Sequence, residues 1–312
     1  QYDGTVAVQN VDLGLFTGTS SLGKITTEID ISSSSDNPLD FAQLNTEIHA
    51  FFDAFEFNGY VYRNVRVDGN YYNSRFDGDV TIRDENIELD FAGLIDFSSD
   101  KPVFDFDANI ITAQLYNLHF DKTDPSQTIC STLSVDGQGS DIDNFTGSIV
   151  AHDVSYFLRG KDYYFDSINV LSTMDDESHD LAVESAFMDL MISGSFTLAE
   201  LPDAFYALAG TILPSVFPAR DDIFLENEDF SFYVDVKDLS VITELFLPEL
   251  RVAENTQLNG EYETSHQDLD FSLNSDWVEY QNYRLDKIHV ETERFFDLYE
   301  FTVKAGQVHL ND

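Results

Sequence analysis

Apolar and polar residues alternate with a period of two over long stretches of this chain, most regularly across 74–97 (SRFDGDVTIRDENIELDFAGLIDF). Phe76, Gly78, Val80 and Ile82 take turns with Asp77, Asp79 and Thr81. Beyond Arg83-Asp84-Glu85-Asn86 the alternation resumes, with Ile87, Leu89, Phe91, Ile95 and Phe97 in one phase and Glu88, Asp90 and Asp96 in the other. Successive side chains of a strand point to opposite faces, so the pattern predicts two long strands joined by a four-residue hairpin connection, apolar on one face and acidic on the other. Phe104 and Phe106, separated by Asp105, continue the apolar face on a further strand. Other stretches that read as strands are 5–8, 59–69, 129–137, 145–157, 163–171, 180–196, 229–237, 257–264, 268–275, 283–292, 298–304 and 307–310. The connections are short and rich in Asp, Asn, Ser and Gly, as in hairpins and meanders.

An apolar-x-Gly step recurs inside or at the end of these strands: VDGNYY at 67–72, FDGDV at 76–80, FTGSI at 145–149, ISGSF at 192–196 and LNGEY at 258–262. The spacing is irregular, so this is no solenoid of fixed period. Strand glycines mark a bend, a close backbone approach or a bulge. Two segments break the two-residue period. PDAFYALAGTIL at 202–213 puts Phe205, Leu208, Ala209 and Ile212 on one helical face, with proline at a tolerated first-turn position. Its dozen residues would span roughly 18 Å, too short for a bilayer, and a helix lying on the apolar face of the sheet is the favoured role. A short helix is expected over 239–247, stopping near Pro248, and one further helical turn over 38–44. The expected fold class is all-β and antiparallel with one or two short helices; length alone allows two ordinary domains or one elongated array, and a single elongated segment over 1–312 is the arrangement expected. Both ends fall inside strand-like patterns, and the chain is read as a segment of a longer protein.

Charge changes the picture most. The 312 residues carry 16 Lys+Arg against 58 Asp+Glu, a formal net charge of −42. Phosphate backbones repel such a surface, so no nucleic-acid partner is expected, and direct docking on an anionic membrane face is disfavoured for the same reason. Cys130 is the only cysteine, which leaves no intrachain disulfide and no cysteine-based zinc site. No apolar run is long enough to span a bilayer as a helix.

Catalytic chemistry finds little support. The seven histidines (49, 119, 152, 179, 266, 289 and 309) include no HxxxH or HExxH pair, and neither a GxSxG elbow nor a phosphate-cradling glycine loop occurs. Carboxylate pairs are guaranteed by the acidic excess and therefore carry no information about glycoside hydrolysis. DDES at 175–178 and ENED at 226–229 lack the spacing of a calcium loop and read as solvated turns. Asn144-Phe145-Thr146 matches a glycosylation acceptor, a pattern too common to weigh. The expectation is a protein that is not an enzyme and uses no cofactor or metal.

The stretch NGYVYRNVRVDGNYYNSRFDGDVTIRDENIELDFAGLIDF at 58–97 resembles the TamB/AsmA-like family of the Bacteroidota type: a Tyr-x-Asn-Val-x-Val-x-Gly strand leads to a Phe-x-Gly strand and an Asp84-to-Gly93 return. Weaker echoes lie at 143–157, 185–201 and 245–263. The resemblance implies a curved sheet folded into a β-taco-like trough with an apolar interior. It further implies a periplasmic location, within a protein anchored at the inner membrane and reaching the outer one. It also implies phospholipid acyl chains as cargo and an outer-membrane barrel partner of the TamA type. On that reading Phe76, Val80, Ile82, Ile87, Leu89, Phe91, Ile95, Phe97, Phe104 and Phe106 line a lipid groove, while Asp77, Asp79, Glu88, Asp90 and Asp105 face water.

Physics gives such a groove a purpose. An acyl chain of about sixteen carbons costs on the order of 12 kcal/mol to expose to water. An apolar face that covers the tail removes that cost without any catalytic group. Two other readings stand beside the phospholipid conduit: an assembly factor for outer-membrane proteins, working by strand addition or through the trough, and a surface or secreted β-rich binding module. A filled sandwich core would give the same alternation as an open trough.

Overall fold

The computed structural model describes residues 2–12, 22–33, 45–175, 178–201, 203–206, 218, 220, 229–263, 268–295 and 298–310. Almost every described element is a strand, and every pairing whose register is resolved is antiparallel. The contacts divide the chain into two compact units: Gln1–Ser140 with Gly147–Ser167, and Asp141–Thr146 with Ile168–Asp312.

In the first unit the strands follow one another as a meander. They are β1 (Tyr2–Asp12), β2 (Leu22–Ser33), β3 (Asn45–Phe57), β4 (Tyr60–Tyr62), β5 (Val65–Tyr72), β6 (Arg75–Arg83), β7 (Ile87–Asp96), β8 (Val103–Gln114), β9 (Thr128–Gln138) and β10 (Thr146–Leu158). Strand β3 pairs with β2 on one side and with both β4 and β5 on the other. The expected strands at 74–97 and 104–110 are present, and 59–69, read from sequence as one strand, is broken at Arg63-Asn64 into β4 and β5, whereas β2 and β3 fall outside the stretches singled out from the sequence. The one-residue register shift between Thr26 and Thr27 breaks the phase of their pairing, and period-two reading is sensitive to a single slip.

The second unit takes the later part of β11 (Lys161–Met174), then β12 (His179–Ser185), β13 (Met188–Ser195) and β14 (Asp229–Val236). It continues with helix α1 (Ser240–Phe246), β15 (Leu250–Val252), β16 (Gln257–Glu263), β17 (Asp268–Tyr280), β18 (Tyr283–Phe295), β19 (Leu298–Lys304) and β20 (Gln307–Leu310). The stretch 180–196, read from sequence as one strand, is a hairpin. Ser185 accepts hydrogen bonds at Oγ from the N–H groups of Phe187 and Met188 and donates to the Met188 carbonyl at 2.7 Å, which closes the turn. The expected helix at 239–247 is α1: Asp238 accepts from the Ser240 N–H at 2.9 Å at its start, and Pro248 follows the Leu247 N–H bond to the Thr243 carbonyl. Of the helix expected over 202–213, Asp203–Tyr206 are helical and the remainder lies outside the described residues, as does the turn over 38–44. No helix among the described residues is long and apolar enough to cross a membrane.

The core of the second unit is filled. Leu181, Ile192, Phe232, Gly260 and Phe271 stand directly opposite one another across β12, β13, β14, β16 and β17. The missing side chain at Gly260 makes room for both flanking rings, since a Cβ there would lie 2.8 Å from Phe271 Cβ and 2.9 Å from Phe232 Cζ. Leu201, Ala204 and Phe205 of the helical segment pack onto this row, with Phe205 edge-on to Phe232 at 5.5 Å. The described turn at 203–206 therefore lies on the apolar face of the sheet.

The buried polar residues of this unit include one histidine, besides serines and threonines such as Ser172 and Thr292. His179 is buried to 4% exposure, stacks on Phe196 at 4.5 Å and meets Ser172 Oγ through Nε2 at 2.8 Å. Ser172 spends its own proton on the Phe145 carbonyl at 2.7 Å, so Nε2 is the protonated nitrogen, and Nδ1 has no partner. Burial pushes this histidine below its ordinary value of 6.5, against the pull of Asp180 and Asp143. With a depressed folded pKa, the unfolded chain takes up the proton first. The neutral ring's contribution is therefore whole above pH 6.5 and is lost as the pH falls from 6.5 toward the lower folded value. Urea unfolding of His179→Gln at pH 7.5 and 5.5 should show a shallower loss of stability on acidification than the parent; equal losses in both would show that this histidine stays uncoupled from folding.

Candidate apolar face and its acidic reverse

Strands β5 to β9 build the surface that the alternation singles out. Tyr71, Phe76, Ile95 and Phe104 form one cross-strand row; Val67, Val80, Phe91 and Ala108 form a second, and Val65, Ile82, Leu89 and Ile110 a third. Between the first two rows runs Gly69–Gly78–Gly93–Phe106. A Cβ at Gly78 would lie 2.3 Å from the Asp68 carbonyl oxygen and 2.5 Å from Gly69 Cα. At Gly93, where φ is +144°, it would lie 2.4 Å from the Asp105 carbonyl oxygen. The pairing runs without interruption through these glycines, and the register shifts fall elsewhere, between Glu88 and Leu89 and between Ile110 and Ala113. The glycines therefore permit close backbone approach and a bend, not a bulge.

The ten groove positions all belong to this face, and the structure sorts them into two groups. Ile87, Val80, Ile82 and Leu89 are part of a packed cluster with Tyr62, Val65, Ala113 and Leu118. Leu118 has 0% exposure and arrives from the loop after β8. Phe76, Phe91, Ile95, Phe97, Phe104 and Phe106 lie outside that cluster. Phe91 and Phe106 tilt against each other at 5.0 Å, and Phe97 meets Phe104 edge-on at 6.1 Å while remaining 58% exposed just past the end of β7. Leu118 was invisible to sequence reading because it stands alone in YNLHF, with no periodicity to mark it. Val65, Val67 and Ile110 belong to strands that the pattern found, and their in-phase spacing was the available signal.

The reverse face is acidic. Asp68 stands directly opposite Asp79, and Asp105 directly opposite Asp136. Arg83 is the main cation here, reaching Glu88 at 3.3 Å and Asp90 more closely. Its partners are about two-fifths exposed, so this network adds little stability. Asp79, Thr81, Asp90, Ala92 and Asp107 surround a shallow hollow of about 360 Å³, the small Ala92 leaving the space. No group of three His, Cys, Asp or Glu among the described residues is arranged to hold a metal ion. Like charges directly opposite on a sheet destabilise it by roughly 0.2–1 kcal/mol per pair. Asp105→Asn should accordingly raise the melting temperature by a few degrees at low salt, and by less at 1 M salt, where the repulsion is already screened. A lowered melting temperature at low salt would mean that Asp105 is held by an attraction this pairing does not contain.

Fold and face together define an antiparallel β-sheet protein whose first unit presents an aromatic strip on one side and carboxylates on the other. No protein-family model, curated protein or solved structure matches the chain.

Proposed function

We propose that this protein is a non-enzymatic conduit that shields phospholipid acyl chains on the apolar face of its first unit. One observation carries the reading: Phe76, Phe91, Ile95, Phe97, Phe104 and Phe106 form a continuous aromatic and aliphatic strip that the packed cluster does not absorb. Contiguous apolar surface outside a core marks a binding site. The side chains of the strip offer no donor, acceptor or charge, which suits an acyl chain. A peptide would bring N–H and C=O groups that the strip leaves unpaired. Strands β5 to β8 are each paired on both sides, so none offers a free edge for strand addition. That weighs against the assembly-factor alternative at this surface. The membrane setting, a periplasmic protein bridging inner and outer membranes beside a barrel partner, rests on the resemblance of 58–97 to the TamB/AsmA-like family.

The direct test is organic extraction of the purified chain followed by mass spectrometry, together with native mass spectrometry of the same sample. Diacyl phospholipid at a defined stoichiometry, released by denaturation, is the expected result. A chain that carries none, and takes up none from phosphatidylcholine vesicles, would overturn the proposal.

A further inference from the structure

We infer that the loop between β8 and β9 is a stopper that sets where an acyl chain lies on the apolar face of the first unit. The chain occupies Phe76, Phe91, Ile95, Phe104 and Phe106 and is shut out of the rows at Ile82, Ile87 and Leu89. The inference deepens the acyl-chain reading above and rests on it.

The loop is built to hold one side chain in place. Leu118 is wholly buried against Tyr62, Val65, Ile87 and Ala113. Both of its neighbours are tied to other hairpins: Asn117 Nδ2 donates to Asn86 Oδ1 at 2.7 Å, and His119 Nδ1 meets the Asn58 carbonyl at 3.2 Å. Asn86 in turn donates to the Tyr60 hydroxyl at 2.8 Å, and Tyr60 donates to Asp84, so the anchor continues into the β6–β7 turn. Burial first of all, then the nearby Asp84 carboxylate, pushes the Tyr60 phenol up to about 12, which keeps it a donor at any physiological pH. The far side of the loop is closed by Leu115 N–H to the Gln127 carbonyl at 3.2 Å and by the Gln127 amide on Asp121 at 2.7 Å. This is more fixing than a connection between two adjacent strands requires.

The consequence is a boundary across the strands. Ile95 lies opposite Phe76, and Ile82 is six residues further along β6, about 20 Å at the usual strand rise. An acyl chain running across the strands over Phe76, Ile95 and Phe104 has aromatic and aliphatic contacts on each. One running over Ile82 and Leu89 would have to displace Leu118. The stopper therefore confines cargo to one strip and limits how many tails lie side by side.

The test compares positions. In the unsubstituted protein, phosphatidylcholine with a nitroxide on its tail should broaden the methyl resonances of Ile95 and leave those of Ile82 and Ile87 sharp. A photoreactive residue at 91 or 106 should capture phosphatidylcholine at least tenfold more than one at 89. Asn117→Ala with His119→Ala loosens the anchors without touching the strip, and should raise capture at 89. Leu118→Met should restore the parent pattern where Leu118→Ala does not. Equal broadening of Ile82 and Ile95 in the unsubstituted protein would overturn the stopper and leave the acyl-chain reading standing. A loosened variant that keeps its melting temperature and gains no capture at 89 would do the same. Lipid at none of these positions would overturn both.

Discussion

Phe91→Arg is expected to reduce phospholipid transfer at least tenfold while leaving a folded, abundant protein. Phe91 sits mid-strand in β7, directly between Val80 and Ala108, with its ring 5.0 Å from Phe106. A tail passing over an arginine there would have to strip water from an unpaired charge, which costs several kcal/mol, and about 1.4 kcal/mol already suffices for tenfold. Phe91 is only half-buried, so the longer side chain can reach water when no lipid is present. The melting temperature should accordingly fall by only a few degrees. Asp90→Lys, one residue away on the opposite face, loses the ion pair with Arg83 and should leave transfer unchanged. The measurements are steady-state level, melting temperature and transfer between donor and acceptor vesicles. An arginine variant that unfolds would identify this row as core; one that folds and transfers normally would remove the strip from the lipid path.

The largest effect on stability should come from the glycine row. Gly78→Ala puts a methyl group 2.3 Å from the Asp68 carbonyl oxygen and 2.5 Å from Gly69 Cα, both backbone atoms that cannot rotate away. Gly93→Ala adds the strain of φ +144° to a similar clash with Asp105. Each single change should cost about 2–4 kcal/mol, and the pair should unfold β5 to β8. Gly4→Ala is the control: nothing lies within 4 Å of its Cβ, so its effect should stay within about 0.5 kcal/mol. Denaturant unfolding reads all four. A stable Gly78→Ala would mean that β5 and β6 can part at this point, and that the close approach is not what bends the sheet.

These expectations draw on different levels of information. That 74–97 is two strands, and that Phe91 and Asp90 face opposite ways, follows from alternation alone, because a strand's side chains have a period of two regardless of what they pack against. The recurring apolar-x-Gly step was equally visible, as was the helix at Ser240–Phe246 with proline behind it. The hairpin inside 180–196 was not. Leu181 and Val183 keep one beat and Met188, Leu190 and Ile192 the other, but a slip of one residue reads as a bulge as readily as a turn, and a serine side chain decides where the chain turns.

Alternation fixes which residues share a face; what covers that face is beyond it. Val80, Ile82, Ile87 and Leu89 read the same as Phe76, Phe91, Ile95 and Phe104, yet one set is packed under Leu118 and the other is not. The difference comes from a lone leucine some thirty residues along the chain, whose neighbours Asn117 and His119 bond to Asn86 and the Asn58 carbonyl. Burial depends on contacts made after the strands have paired, and no periodicity within a strand encodes them. In the same way the sequence supplied the glycines, but only the register shows Gly69, Gly78 and Gly93 abreast across three strands, where removing a side chain from each lets the backbones close together.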